Sequence, residues 1–380
     1  MWNEKWQPLI DEGKLQVLGI VQEQHAERTR LYQQWRQFKW PIVQDALNLL
    51  EVKVVPLAIA MDENGVVVSH NATPEFINRW LAGELADPAT KTTTAKTVDA
   101  KLESARQSFL WENTAEDSAG LDKAITIYEE LIAGDGKDNH KLNFELAVNY
   151  RNRFERDADP LDFQKAVDHW GKALKLNPNQ YIYRRRIEQY GARLGKPYPF
   201  YDWVEQATTE IRERGDEPVE LKVSISGAEI ASPSREFATA TANQAKMDWD
   251  TAIEIEVDDA DLVSALAVAV PAKVTAGKAT RVHVLVSPSE NSKWNNEAGP
   301  ATFVLNSVSN AQLSTSSFEH PLPKEVESNE TRRFEFEVLV DPDASGSVII
   351  EGAVLINVCV SDSGLCNYLR KPFQIEIEVN

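Results

Sequence analysis

Apolar and polar positions follow three successive rhythms along the chain. In residues 1–86 short apolar runs alternate with amphipathic stretches. Residues 15–21 (LQVLGIV) have the length and β-branching of a buried strand. A polar helix is predicted over 26–38, with Leu31 and Trp35 on one face, and Trp40-Pro41 bars its continuation. Residues 54–61 (VVPLAIAM) predict a second strand, Asp62-Glu63-Asn64-Gly65 a turn, 66–68 a third strand, and 74–85 a helix carrying Phe76, Ile77, Trp80 and Leu81. Pro56 is out of place in an apolar strand, because it gives up a ladder hydrogen bond. It belongs at an edge, at a strand start or after a cis bond, and a cis Val55–Pro56 bond is predicted.

Residues 87–215 begin with a Thr- and Lys-rich linker (DPATKTTTAKT) and then take a helical period. Ala166, Trp170, Ala173 and Pro178 follow one another at offsets of 4, 3 and 5. Small residues let paired helices approach, an aromatic fills the space between them, and Pro ends the second helix. Leu146, Ala147 and Tyr150 suit the facing helix, and Ala124, Tyr128 and Leu131 form a weaker earlier copy. A loop with Arg156, Asp157 and Pro160 is predicted between the paired helices. From 216 to 380 the period becomes two: Leu221/Val223/Ile225, Ile253/Ile255/Val257, Val282/Val284/Val286, Phe334/Phe336/Val338/Val340 and Phe373/Ile375/Ile377/Val379. Such alternation, broken by Pro, Gly and Asn, predicts eight or nine strands of an antiparallel sandwich. Glu335, Glu337, Glu376 and Glu378 are expected on its solvated face. The fold class is therefore multidomain α+β.

Composition adds limits. The 380 residues are 42% apolar and 26% charged, an ordinary globular mix. A net charge of −19 argues against nucleic acid, whose phosphates require Lys and Arg. No apolar run suffices for a membrane helix, and the opening MWNEKWQPLIDEGK lacks a signal-peptide core. Taken literally, that places the chain in the cytoplasm, where a structural disulfide is unusual.

The two cysteines, Cys359 and Cys366, are the candidate chemistry. They flank Ser361, Asp362, Ser363 and Gly364, a turn-forming set between β-type runs, so they are expected to face each other at the end of a hairpin. Opposed strand residues lie within disulfide reach, with the Cα atoms expected inside the usual window of about 4.4–6.8 Å; two free thiols are the alternative. A disulfide there is either a clip, worth roughly 2.5 kcal/mol by chain entropy, or a redox centre needing an accessible thiolate. Asp362 would disfavour a thiolate, and Arg370 and Lys371 would favour one. Two cysteines alone do not complete a tetrahedral zinc site, and neither a metal nor a cofactor is expected.

Three resemblances follow from these residues. The order strand, helix, VVPLAIAMDENGVVV, helix resembles the later part of a thioredoxin-like or redoxin domain, with Pro56 at that family's cis-proline. It implies that Val55 and Pro56 line a substrate-facing surface. It also implies that the first strand and the Cys-x-x-Cys helix start precede Met1, so the chain reads as part of a longer product. No cysteine occurs before Cys359, which disfavours a peroxiredoxin-type peroxidase. The Ala166–Trp170–Ala173–Pro178 spacing resembles tetratricopeptide repeats, which implies a protein ligand of the helices. The stretches VHVLVSPSENSKWNNEAGPATF, RRFEFEVLV and EGAVLINVCVSDSGLC resemble the immunoglobulin-like amino-terminal domain of the bacterial thiol–disulfide interchange transporter (DsbD-like), with its cysteines at Cys359 and Cys366. The pair is spaced a residue wider here than in that family's best-known form. That resemblance implies a protein thiol or disulfide partner and an extracytoplasmic location. The competing reading is a non-enzymatic interaction protein whose disulfide is structural.

Other residues carry paired readings. His25 is either a proton relay or an ordinary residue of a strand–helix connection. Arg184, Arg185 and Arg186 with Tyr181, Tyr183 and Tyr190 form either a ligand groove or a capping helix. Trp294, Asn295 and Asn296 are expected in a loop at one end of the sandwich.

Overall fold

A computed structural model describes residues 2–85, 99–112, 119–239 and 247–380. The linker expected at 87–97 lies outside them. The fold is mixed α+β with several sheets and a helical part. The chain falls into two compact units: 1–149 with 173–184 and 204–224, and 150–172 with 185–203 and 225–380.

The first unit opens with α1 (Trp2–Asp11), β1 (Gly19–Val21), α2 (Ala26–Arg36), β2 (Ile42–Gln44), β3 (Ala60–Met61), β4 (Val67–Ser69) and α3 (Pro74–Leu81). β1 and β2 form a parallel pair, and β3 and β4 an antiparallel one. Both long strand expectations shorten. Within 15–21 only β1 finds a partner, and Leu15 instead packs on the cluster of Ala60, Ala72 and Ile77. Within 54–61 only Ala60 and Met61 join a ladder, and Val54, Val55, Leu57 and Ile59 stay exposed. The helix ends earlier, at Arg36, where Gln37 takes a left-handed C-cap conformation (φ 54°), and Trp40-Pro41 leads into β2, an element not expected from the sequence. The Asp62–Gly65 turn forms as expected. Asp62 Oδ1 accepts from the amides of Asn64 and Val66, and Gly65 takes φ 79°. The Val55–Pro56 bond is cis, as its place in the sequence predicts; Val270–Pro271 is cis too.

Helices α4 (Ala100–Gln107), α5 (Ala119–Ala133), α6 (His140–Asp157), α7 (Pro160–Leu176), α8 (Tyr181–Glu188) and α9 (Trp203–Glu213) follow. The small and aromatic positions are buried where the spacing puts them: Ala124, Tyr128, Leu146, Ala147, Tyr150, Ala166, Trp170 and Ala173. The expected loop between the paired helices shrinks to residues 158–159. Arg156 and Asp157 extend α6, while Pro160 starts α7, where its missing N–H costs nothing. Asp159 caps that start by accepting from the Leu161 amide.

In the second unit the short helices α10 (Gly227–Ile230) and α11 (Trp249–Ala252) precede the sheets. The strands expected at 221–225 and 253–257 do not form; Val257 makes a single bridge to Arg370, and Ile255 packs beside Leu355. The strands are β5 (Val263–Val270), β6 (Lys273–Val274), β7 (Ala279–Pro288), β8 (Ser292–Asn295), β9 (Thr302–Leu305), β10 (Ala311–Leu313), β11 (Ser317–Glu319), β12 (Glu327–Ser328), β13 (Arg332–Val340), β14 (Gly346–Val360) and β15 (Cys366–Val379). One sheet runs β10-β13-β7-β5. The other runs β11-β9-β14-β15-β6, with β8 also on β14 and β12 on β8. Their inner faces share one apolar core that includes Trp294, Phe303, Phe334, Phe336 and Phe373. Period-two alternation produces it, since alternate side chains of β13 from Phe334 to Val340 and of β15 from Phe373 to Val379 enter the core.

The other face of β13 is not solvated as expected. Glu335 and Glu337 are buried against Arg281, and residues 150–172 and 185–203 contribute Phe163, Tyr190 and Arg193 to the same layer. Glu376 and Glu378 on β15 do face solvent.

Candidate functional site

β14 and β15 form a long hairpin in which Cys359 stands directly opposite Cys366. The turn closes because the Val360 amide donates to the Leu365 carbonyl and the Gly364 amide to the Val360 carbonyl. Gly364 has φ 65°, a region that favours glycine. The sulfurs are joined in a disulfide. The Cα atoms are 3.9 Å apart, closer than the window expected from sequence. The register accounts for part of this: Val360 and Leu365 are hydrogen-bonded partners, so the cysteines occupy the narrower, non-hydrogen-bonded kind of site, about 4.5 Å wide in an ordinary ladder.

The two sulfurs have unequal surroundings. Cys359 lies mid-sheet with 1% of its surface exposed, whereas Cys366 is exposed at the hairpin tip. Leu365 is 61% and Tyr368 42% exposed beside it. Tyr368 shares the face of Cys366, two residues along the strand, opposite Asn357. Partial burial, and then the charge of Glu319, push the Tyr368 phenol above its ordinary value, so it remains a hydrogen-bond donor.

β8 runs along the other edge of β14 and brings Lys293 opposite Cys359. The segment expected as a loop is therefore largely strand. Trp294 points into the core, where its indole N–H donates to the Glu330 carbonyl at 2.8 Å. The Asn296 amide donates to the Glu325 carbonyl, which anchors the strand end. Lys293, on the opposite face, pairs with Glu327 at 2.6 Å. The sequence reading passed over Lys293; the Ser-Lys-Trp-Asn alternation was the available signal.

The basic residues singled out from sequence sit elsewhere. Arg370 is four positions beyond Cys366, about 13 Å along the strand, and donates to the Ile255 carbonyl. Lys371 falls on the opposite side of the strand by alternation and pairs with Asp258 and Asp261. Neither faces the sulfurs.

In the first unit, Pro56 borders a cavity of about 210 Å³ with Lys5, Trp6, Ala58, Asn71, Thr73 and Pro74, and Val55 is exposed beside it. His25 is buried at the start of α2, where its amide donates to the Glu23 carboxylate. Tyr183 is buried with its hydroxyl 2.9 Å from His140 Nδ1; Tyr190 is buried and accepts from Arg151; Arg185 donates to the Tyr198 hydroxyl. No group of His, Cys, Asp or Glu among the described residues is placed to hold a metal, and none of their helices is long and apolar enough to cross a membrane.

No protein-family model matches this chain, and no curated protein matches it either. Among solved structures, a cohesin module from a Clostridium perfringens family 33 glycoside hydrolase is 12% identical and covers 31% of this chain and 97% of its own, with a TM-score of 0.18. BslA, a bacterial hydrophobin, is 13% identical over 31% of this chain and 95% of its own, with a TM-score of 0.16. The Pseudomonas fluorescens alkylpurine DNA glycosylase AlkC is 9% identical over 73% of this chain and 67% of its own, also at 0.16. Likenesses at this level carry no argument about fold or function.

Proposed function

We propose that this chain is a thiol–disulfide exchange protein of the bacterial cell envelope that passes electrons through Cys359 and Cys366. On this reading the β-region is an immunoglobulin-like module of the DsbD-like kind, the helices are divergent tetratricopeptide-type repeats that hold a protein ligand, and the first segment is a thioredoxin-like unit without a thiolate of its own. Val55 and Pro56 would be its substrate-facing edge. One observation carries the reading: the disulfide joins an exposed residue, Cys366, at a hairpin tip beside exposed Leu365 and Tyr368, to a buried Cys359. A clip, whose contribution of roughly 2.5 kcal/mol acts through the unfolded chain, has no need of an exposed cysteine.

The proposed exchange runs in the following order. A thiolate of a partner protein dithiol attacks Cys366 Sγ in line with the S–S bond. The partner-sulfur–Cys366 bond forms, the Cys359–Cys366 bond breaks, and its electron pair leaves on Cys359 Sγ. The partner's second thiolate then attacks its own sulfur in the mixed disulfide and releases Cys366. The partner ends as a disulfide, this chain as a dithiol, and the two thiol protons are conserved through solvent.

The test is to expose the oxidised chain briefly to reduced glutathione, quench, and map the adduct by mass spectrometry. The adduct is expected on Cys366, with Cys359 modified at least about tenfold less. Equal labelling, or no opening of the disulfide, would overturn the assignment and leave the interaction-protein reading with a structural disulfide.

A further inference from the structure

Lys293 is the feature of this face that the exchange scheme leaves unused. Its register opposite Cys359 puts both side chains on one face of the sheet, with Cβ atoms about 4.5–5.5 Å apart. Ser361 donates to the Asn291 carbonyl, so the Cys359–Lys293 pair is itself a hydrogen-bonded pair, and its position across the ladder is fixed by backbone. The Lys293 ammonium leans the other way, onto Glu327 across the β8–β12 ladder. That ion pair is one-third to one-half exposed on its two sides, the kind that contributes little and exchanges readily.

Opening the disulfide at Cys366 leaves negative charge on a sulfur that is 1% exposed. A buried thiolate without a counter-charge is costly, and the slowest leaving group is the one whose charge is least stabilised. Asp362 is acidic, and Arg370 and Lys371 are committed to other groups. Lys293 has a flexible four-carbon stem, a neighbouring anchor point and a weakly held partner.

We propose that Lys293 is the positioning cation of the exchange reaction, moving its ammonium from Glu327 to the Cys359 sulfur when the disulfide opens. This rests on the redox reading of the pair. In the oxidised chain the ammonium is parked on Glu327. In the mixed disulfide and the dithiol it neutralises Cys359, which makes Cys359 the better leaving group and keeps it a thiolate ready to close the ring again. Glu327 competes for the same ammonium, so the two side chains set the reactivity of Cys359 in opposite directions.

The experiment uses the full chain with Lys293→Met, Lys293→Arg and Glu327→Gln. Two quantities are measured: the rate at which dithiothreitol opens the disulfide, and the pH at which the Cys359 thiol ionises in a Cys366→Ser background, from ultraviolet thiolate absorbance. Lys293→Met is expected to raise that ionisation by about one pH unit and slow opening roughly threefold. Lys293→Arg should restore both, and Glu327→Gln should shift both the other way. A structural role for Lys293 would not yield opposite effects from its two partners, so unchanged ionisation in Lys293→Met, or equal shifts in Glu327→Gln, would overturn the proposal. The redox reading fails separately: a disulfide that resists dithiothreitol in every variant would sink it, while the ionisation of the Cys366→Ser chain would still report on Lys293.

Discussion

Glu335 shows what one residue's surroundings decide. Burial by itself would raise its pKa, but the neighbouring His283 and the charges of Arg281 and Arg333 outweigh that and hold the carboxyl well below the usual range. Arg281 grips it at 2.6 and 2.9 Å. A carboxylate depressed in the folded state contributes stability above its unfolded value, near pH 4.3, and that contribution is lost as pH falls through the folded value. Glu335→Gln is expected to cost about 3 kcal/mol at neutral pH and to flatten the acid limb by up to about 1.4 kcal/mol per pH unit below about pH 4. Urea unfolding of both proteins from pH 7 to pH 3 measures it, and parallel profiles would contradict it. Alternation in RRFEFEVLV revealed which side of β13 Glu335 occupies. It gave no sign that the side is covered, because the cover comes from residues 150–172 and 185–203, far away in sequence. Lys293 escaped notice for the same kind of reason: its importance depends on a register between β8 and β14 that no local pattern encodes.

At the scale of elements, the helices were the most legible part, because small and aromatic residues at fixed offsets state their own packing. Tyr128 illustrates it. Buried as its spacing predicts, it donates to Glu145 at 2.6 Å, and Arg106 grips the same carboxylate in two bonds. Burial, followed by the negative charge of Glu145, pushes the phenol far above its ordinary value, so it donates at every accessible pH. Tyr128→Phe is expected to lower stability by about 1–2 kcal/mol in thermal or urea unfolding, without pH dependence between about pH 6 and 9. A neutral substitution would show that Arg106 alone satisfies Glu145. Short strands were the least legible. The apolar run 54–61 carries the β-branched Val54, Val55 and Ile59, yet a strand requires a neighbour, and only Ala60 and Met61 have one. The stretch 253–257 alternates well and still makes only one bridge, since Ile255 packs beside Leu355 instead. The hairpin of β14 and β15 was legible because its turn residues, its alternation and its cysteine spacing all agree.

For the molecule as a whole, helices and several sheets accompany one disulfide, Cys359–Cys366, in a chain of net charge −19. Whether Cys359 and Cys366 exchange electrons or merely staple a hairpin is a question of potential. The most direct test equilibrates the full chain in glutathione buffers of graded ratio and measures the oxidised fraction after acid trapping. The account predicts a midpoint between about −180 and −260 mV, where a partner dithiol can reduce the pair and a disulfide can reoxidise it; a midpoint below about −300 mV would mark a structural clip and contradict the exchange function.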